Sequence, residues 1–403
     1  MMAMVLIAAI ARTPHADGQS GSIDAMLADR LSAAPDAGIV VGTIDGSSKG
    51  LVVRGKAALD GDSAFEISGL AEVFVAAALA DMIAKGEVNL RDPVAKHLPG
   101  MPVPTKDGKS ITLEDLAMHR SGLPRVLPGL GRSDLNRYAA YTPERLAEFL
   151  GGYELTRDIG ARYERSQLGI GLLAAAMATR AGKPLDALLQ ERVIAPLGLT
   201  ATQLKAGALL STPNDVLKFA GANLTEAGPL ASIFAETQAS RGSVGARGES
   251  LGLGWRIRHT GPRQILWSSG AAGGHQAFIA VEPAAARGVV VLHNQAVSVD
   301  DIGFNVLEQV REGAKPVDVA ALAAFAGEYE IKRGLRVIVR LAGSKLAVQV
   351  GEEAESTLTQ DSELRFVFDY TEARITFIRD PKGVPIGLML HRDGQHVAAR
   401  RVK

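Results

Sequence analysis

Phe65-Glu-Ile-Ser-Gly-Leu-Ala-Glu-Val-Phe74 runs straight into Val75-Ala-Ala-Ala-Leu-Ala80, and the reading of the chain turns on this junction. The Ala-rich part, up to Lys85, is strongly helical by propensity, and its small side chains let a helix pack closely against a sheet. Ser68 is placed to act as N-cap, its oxygen accepting a backbone N–H of the first turn. Within that turn Gly69 offers no side chain and Glu72 offers an anion.

Upstream, Gly38-Ile-Val-Val-Gly-Thr-Ile44 and Gly50-Leu-Val-Val-Arg54 are β-rich runs joined by Asp-Gly-Ser-Ser, a hairpin signal. A helix is expected from about Ser22, where Ile23, Met26, Leu27 and Leu31 share a face. Downstream, Thr112 with Asp115 three residues on is an Asp variant of the capping box, starting a short helix that Gly122 and Pro124 close. Further helices are expected over 143–151 and 168–181. Ile265–Trp267, Ala277–Val281 and Gly288–Leu292 are short apolar runs bounded by Gly and Pro, so they predict strands of a sheet buried on both faces.

A boundary is expected near Arg311–Asp318. Beyond it Leu335–Leu341, Leu346–Val350, Leu364–Asp369, Arg374–Ile378 and Ile386–Leu390 alternate with period two. That pattern predicts a small antiparallel β-domain or partial barrel.

At 403 residues the chain has material for two domains, and 47% apolar with 22% charged residues is ordinary globular composition. Lys plus Arg and Asp plus Glu stand at 44 each, which argues against a nucleic-acid partner. The absence of cysteine removes disulfides, thiolate metal sites and a Cys nucleophile. His275 and His293 have no companions at metal-ligand spacing, so neither a metal nor a cofactor is expected. Met1–Ala11 is a short apolar run ending in a small-x-small pattern. It predicts a signal peptide and an exported, periplasmic protein, with residues 12–20 as linker. It is too short to span a bilayer, and no other stretch reads as an integral membrane segment.

Lys85–Pro99, with Gly86-Glu-Val-Asn-Leu-Arg-Asp-Pro93, and Ile111–Pro124, with Leu113-Glu-Asp-Leu-Ala-Met-His-Arg-Ser-Gly-Leu-Pro124, together resemble the serine β-lactamase, penicillin-binding-protein and esterase family. The resemblance covers about residues 22–312. It implies a mixed α/β fold with an antiparallel sheet between helical layers. The tail from 318 to 403, opening with Phe325-Ala-Gly-Glu-Tyr-Glu330, resembles the lipocalin-like module that often follows this domain.

The family works with three motifs, and each is altered here. The Ser-x-x-Lys motif falls on Gly69-Leu-Ala-Glu72, where a hydroxyl nucleophile and its base are needed. Tyr-x-Asn falls on Arg165-Ser166-Gln167, with Tyr163 two residues early. Lys-Thr-Gly or His-x-Gly falls on Ser268-Ser269-Gly270. The loop between Leu199 and Ser211 is shorter than in relatives. Ser68, Ser166 and Ser268 lack a lysine partner, and His119 reads as a packing residue at a helix end. The resemblance also implies that the backbone amides of Gly69 and Ala271 could serve as an oxyanion hole. Candidate ligand-binding residues are therefore Gly69, Glu72, Arg165, Gln167, Ser269 and Ala271.

Three functions compete. The first is a pseudo-hydrolase binding a peptide, an acyl group, a cell-wall fragment or a protein partner. Loss of one member of such a catalytic unit typically costs about six powers of ten in turnover. The second is an esterase, amidase or peptidase in which Glu72 serves as general base for water. The third is a product with no selected ligand. Opposite charges at Glu72 and Arg165, positions that face each other in this family, predict an ion pair in the cleft.

Overall fold

The computed structural model describes Leu27, Arg30, Leu31 and then residues 37–402, apart from 56–57, 130–140, 246–247, 261–262, 313–318, 333, 344, 354, 361–363, 369–372 and 393–394. The expected signal peptide, the linker and the Ile23 and Met26 positions lie outside these residues. No helix among the described residues is long and apolar enough to cross a membrane.

The chain divides into two units, up to Gly313 and from Ala314. The first is built on an eight-stranded antiparallel sheet. Its strand order is Ser48–Gly55, Gly38–Asp45, Arg287–His293, His275–Glu282, Arg263–Ala272, Arg256–Thr260, Glu249–Leu251 and Gly242–Ser243. Strand side chains alternate between faces, so a run that is apolar at every position covers both sides. Val40, Leu266, Ile279 and Val290 face one core, while Val41, Ile265, Phe278 and Val291 face the other. The second face is covered by the helix Asp300–Glu312 through Ile302, Val306 and Val310, with Leu27 beside it. Thus the apolar runs form the doubly buried sheet they predict, and the hairpin forms with Asp45 opposite Ser48.

The helix Ala71–Ala84 sits in the first core and is buried along almost its whole length, from Ala71 to Met82. A helix that is apolar all round belongs inside a core. Its start differs from the expectation. Phe65–Glu66 is a short strand and Ser68–Leu70 a 3-10 turn. Leu70 is the helix N-cap, with no side-chain capping bond. The Ser68 hydroxyl instead donates to Glu66 Oε1 (3.0 Å) and accepts from the Leu209 amide (2.9 Å). It therefore ties the turn to the three-stranded sheet of Phe65–Glu66, Ala208–Ser211 and Gln203–Lys205. The capping box forms at Thr112 and Asp115, but that helix ends at Ala117, earlier than Gly122. His119 follows with a left-handed backbone, φ +53°.

The second unit is a closed barrel of eight antiparallel strands in chain order, from Gly327–Lys332 to Gln395–Arg401. The last strand returns to the first through Tyr329↔Arg401 and Glu330↔Arg400. Closure removes both sheet edges. The interior is filled by an aromatic cluster of Phe325, Tyr329, Phe366 and Phe377, with Val and Leu around it. Tyr329 donates to the Phe325 carbonyl at 2.7 Å, and burial pushes its phenol up to about 12.

Candidate functional site

The strand Arg263–Ala272 passes directly over the turn that precedes the Ala71–Ala84 helix. A Cβ built on Gly69 would lie 2.1 Å from the Gly270 carbonyl oxygen, and one on Gly270 would lie 2.9 Å from Gly69 Cα. Both obstacles are backbone, which cannot rotate away as a side chain can. Glycine is needed at both positions because two main chains touch there. Gly69, Gly270 and Ala271 are thus gathered at one crossing.

In the first turn of that helix, Glu72 is buried at 7% exposure. Its Oε1 accepts from Arg165 Nη2 at 3.1 Å and Nε at 3.4 Å, so the expected ion pair forms. Its Oε2 lies 3.4 Å from His119 Nε2. His119 Nδ1 accepts the Ser166 amide at 3.2 Å, which leaves the ring hydrogen on Nε2, aimed at the carboxylate. Burial raises the Glu72 pKa, but the charges and hydrogen bonds of Arg165 and His119 outweigh it and hold the carboxyl at about 2. His119 is thus more than the packing residue its place near a helix end suggests, because its left-handed backbone turns the ring back towards Glu72.

Arg165 reaches further, donating from Nη1 to the Ser269 carbonyl at 3.4 Å. The Ser269 hydroxyl donates to Asp300 Oδ2 at 3.1 Å. These groups line a pocket of about 250 Å³, together with Tyr163, Trp255, Arg256, Trp267 and Ser268. The Tyr163 phenol is pushed up, chiefly by burial. Arg256 lies over the Trp267 ring, 4.4 Å from its centroid. Trp267 Nε1 and Asp300 Oδ1 are buried with no hydrogen-bond partner among the described residues. An unmatched indole N–H and an unmatched carboxylate oxygen are costly unless something polar completes them.

Of the candidates from sequence, Glu72, Arg165 and Ser269 line this pocket, whereas Gly69, Gln167 and Ala271 do not. Gln167 opens the helix Gln167–Ala181, its backbone N–H donating to the Arg125 carbonyl at 2.8 Å. Ser166 is the N-cap of that helix, accepting from the Gly169 amide and donating to the Pro124 carbonyl. His275 Nδ1 accepts the Glu66 amide, and its ring meets Phe65 edge-on. Arg256, Trp267 and Asp300 carry no signal in the sequence. Only tertiary packing places them together, and none sits in a motif.

An antiparallel sheet buried by helices on both faces, crossing the start of a buried helix, defines the serine β-lactamase and penicillin-binding-protein class of fold. The chain belongs to the β-lactamase family, whose family model, Beta-lactamase, matches residues 37–308. It is 27% identical over 306 residues to the D-alanyl-D-alanine-carboxypeptidase/endopeptidase AmpH of Escherichia coli K12, covering 64% of this chain and 79% of that protein. It is 30% identical over 187 residues to a β-lactamase-like protein of Arthroderma benhamiae, covering 38% of this chain and 30% of that one. Among solved structures it resembles the β-lactamase/D-alanine carboxypeptidase of Yersinia pestis (TM-score 0.63, 24% identity, 73% of this chain and 99% of that one). It also resembles the octameric penicillin-binding protein homologue of Pyrococcus abyssi (TM-score 0.65, 17% identity, 94% and 99%).

Proposed function

We propose that this chain is an exported member of the β-lactamase family that binds a peptide or cell-wall fragment without acylating it. The observation that carries the reading is the contact between Gly69 and Gly270. The family's nucleophile position holds no side chain here, and the adjoining strand occupies the space one would need. The position of the base holds Glu72, an anion paired with Arg165 and facing the His119 ring N–H. Against water activation by Glu72 stands its pKa of about 2, since so weak a base takes little share of a proton near neutral pH.

The pocket favours a short polar ligand. Arg165 and Arg256 suit a carboxylate or amide carbonyl, while the Asp300 carboxylate in the same lining suits an N–H or ammonium. A peptide terminus carries both kinds of group. Two relatives are named for D-alanine or D-alanyl carboxypeptidase activity, which makes D-alanyl peptides the first to screen.

The test has two arms. Fluorophosphonate and penicillin-type probes should leave no covalent adduct at Ser68, Ser166 or Ser268 by mass spectrometry. D-alanyl-terminated peptides should raise the melting temperature in a concentration-dependent way. Stoichiometric labelling of any of those serines overturns the non-acylating reading. Failure of the peptide series and of muropeptides to shift the transition overturns the assigned ligand class.

A further inference from the structure

The barrel carries a feature unrelated to the pocket. Its last two strands, Pro385–Arg392 and Gln395–Arg401, pair with Arg392 opposite Gln395 and therefore His391 opposite His396. Leu388 and Leu390 of the same strand are buried in the barrel core. Alternation then puts His391 and His396 on the outer face. Their Nδ1 atoms lie 2.7 Å apart, and the rings meet edge-on with centroids at 4.8 Å. His391 Nε2 sits 3.2 Å from the Thr376 hydroxyl on the neighbouring strand.

We propose that His391 and His396 form a cross-strand chelate for a divalent copper ion, bound through both Nδ1 atoms. Imidazole nitrogens bind such ions at about 2.0–2.1 Å. Two nitrogens in cis positions of a square plane are then about 2.9 Å apart, and in a tetrahedron about 3.3 Å, from the same bond length. The 2.7 Å separation needs the smaller opening for the square-planar arrangement, the geometry of Cu(II), which also heads the affinity series for nitrogen ligands.

The 2.7 Å contact is a hydrogen bond between the rings, so one Nδ1 carries its hydrogen; binding through both Nδ1 atoms releases that hydrogen and requires the tautomer with hydrogen on Nε2 in each ring. In His391 that hydrogen is donated to Thr376 Oγ1, which holds the ring in its liganding orientation. No three His, Asp or Glu side chains converge among the described residues, so water completes the coordination. Arg374, opposite His391 in the adjoining strand, opposes any bound cation and limits affinity.

The full chain should be titrated with Cu(II) and followed by electron paramagnetic resonance and by isothermal calorimetry. The expected result is one equivalent with nitrogen hyperfine structure, weakened at least tenfold in His391→Ala and in His396→Ala. Thr376→Val should weaken it by a smaller factor while leaving the spectrum of the bound form unchanged. These side chains lie on the barrel surface, so circular dichroism and melting temperature should match the parent in all three variants. Equal affinity in the parent and in the double His391→Ala/His396→Ala variant overturns the proposal, as does a spectrum without nitrogen coupling.

Discussion

Arg165→Met should destabilise the protein by about 3 kcal/mol at neutral pH, by stranding the buried Glu72 carboxylate. Breaking a buried pair from one side costs roughly 3–5 kcal/mol, because the remaining charge is left without its partner. The lower end applies because the Arg165 side chain is 33% exposed and water screens part of the interaction. The reverse substitution costs a comparable amount, because Glu72→Gln removes the ionised carboxyl that Arg165 stabilises, and a loss on the order of 3 kcal/mol is expected at neutral pH. The double variant should be less destabilised than the sum of the singles, and urea unfolding of all four proteins measures that coupling. Additive losses would mean that the two side chains do not interact in solution.

The same pair sets an acid limit. The Glu72 carboxyl is at about 2 in the folded protein against 4.5 as its reference value. A depressed carboxylate contributes fully above the unfolded pKa and loses its contribution as pH falls through the folded one. Each tenfold difference in proton affinity between folded and unfolded chain is worth about 1.4 kcal/mol, so the contribution is on the order of 3 kcal/mol. It should fade between pH 4.5 and about 2. Stability of the parent should fall more steeply across that window than stability of Glu72→Gln.

The second large effect concerns reversion. On the proposed alignment Gly69→Ser with Glu72→Lys would restore the family's first motif, yet the double variant should neither hydrolyse esters nor take up a fluorophosphonate label. The introduced Cβ would stand 2.1 Å from the Gly270 carbonyl oxygen, so the strand or the turn must move. Overpacking of this kind costs typically 1–3 kcal/mol, and more where the obstacle is backbone. Gly69→Ser alone should lower the melting temperature by several degrees. Covalent labelling of the introduced hydroxyl at unchanged stability would show that the crossing opens readily and would restore the hydrolase reading.

Much of this molecule is determined by local sequence. The doubly buried strands, the hairpin after Gly38 and the Thr112–Asp115 cap follow from side-chain alternation, turn chemistry and a reciprocal hydrogen bond, each set within a few residues. The Glu72–Arg165 pair is legible because the family resemblance sets two oppositely charged residues at positions that face each other, although they lie 93 residues apart. The barrel is legible as five alternating runs. Its strands Gly327–Lys332, Ser356–Gln360 and Gln395–Arg401 are not, because they are short or polar, and closure itself depends on the last strand finding the first.

Tertiary structure decided the rest. Ser68 has the composition of an N-cap, but the Leu209 amide from another strand claims its oxygen, and the helix begins three residues later. His119 becomes a partner of Glu72 through one left-handed residue. Trp267, Arg256 and Asp300 meet only because sheet and helix bring distant segments to one wall. The missing side chain at Gly69 can be read from the letters, but the reason that it must be missing cannot. That reason is a contact between two stretches of main chain, 201 positions apart by numbering (270 − 69), and backbone atoms carry no signature in the sequence.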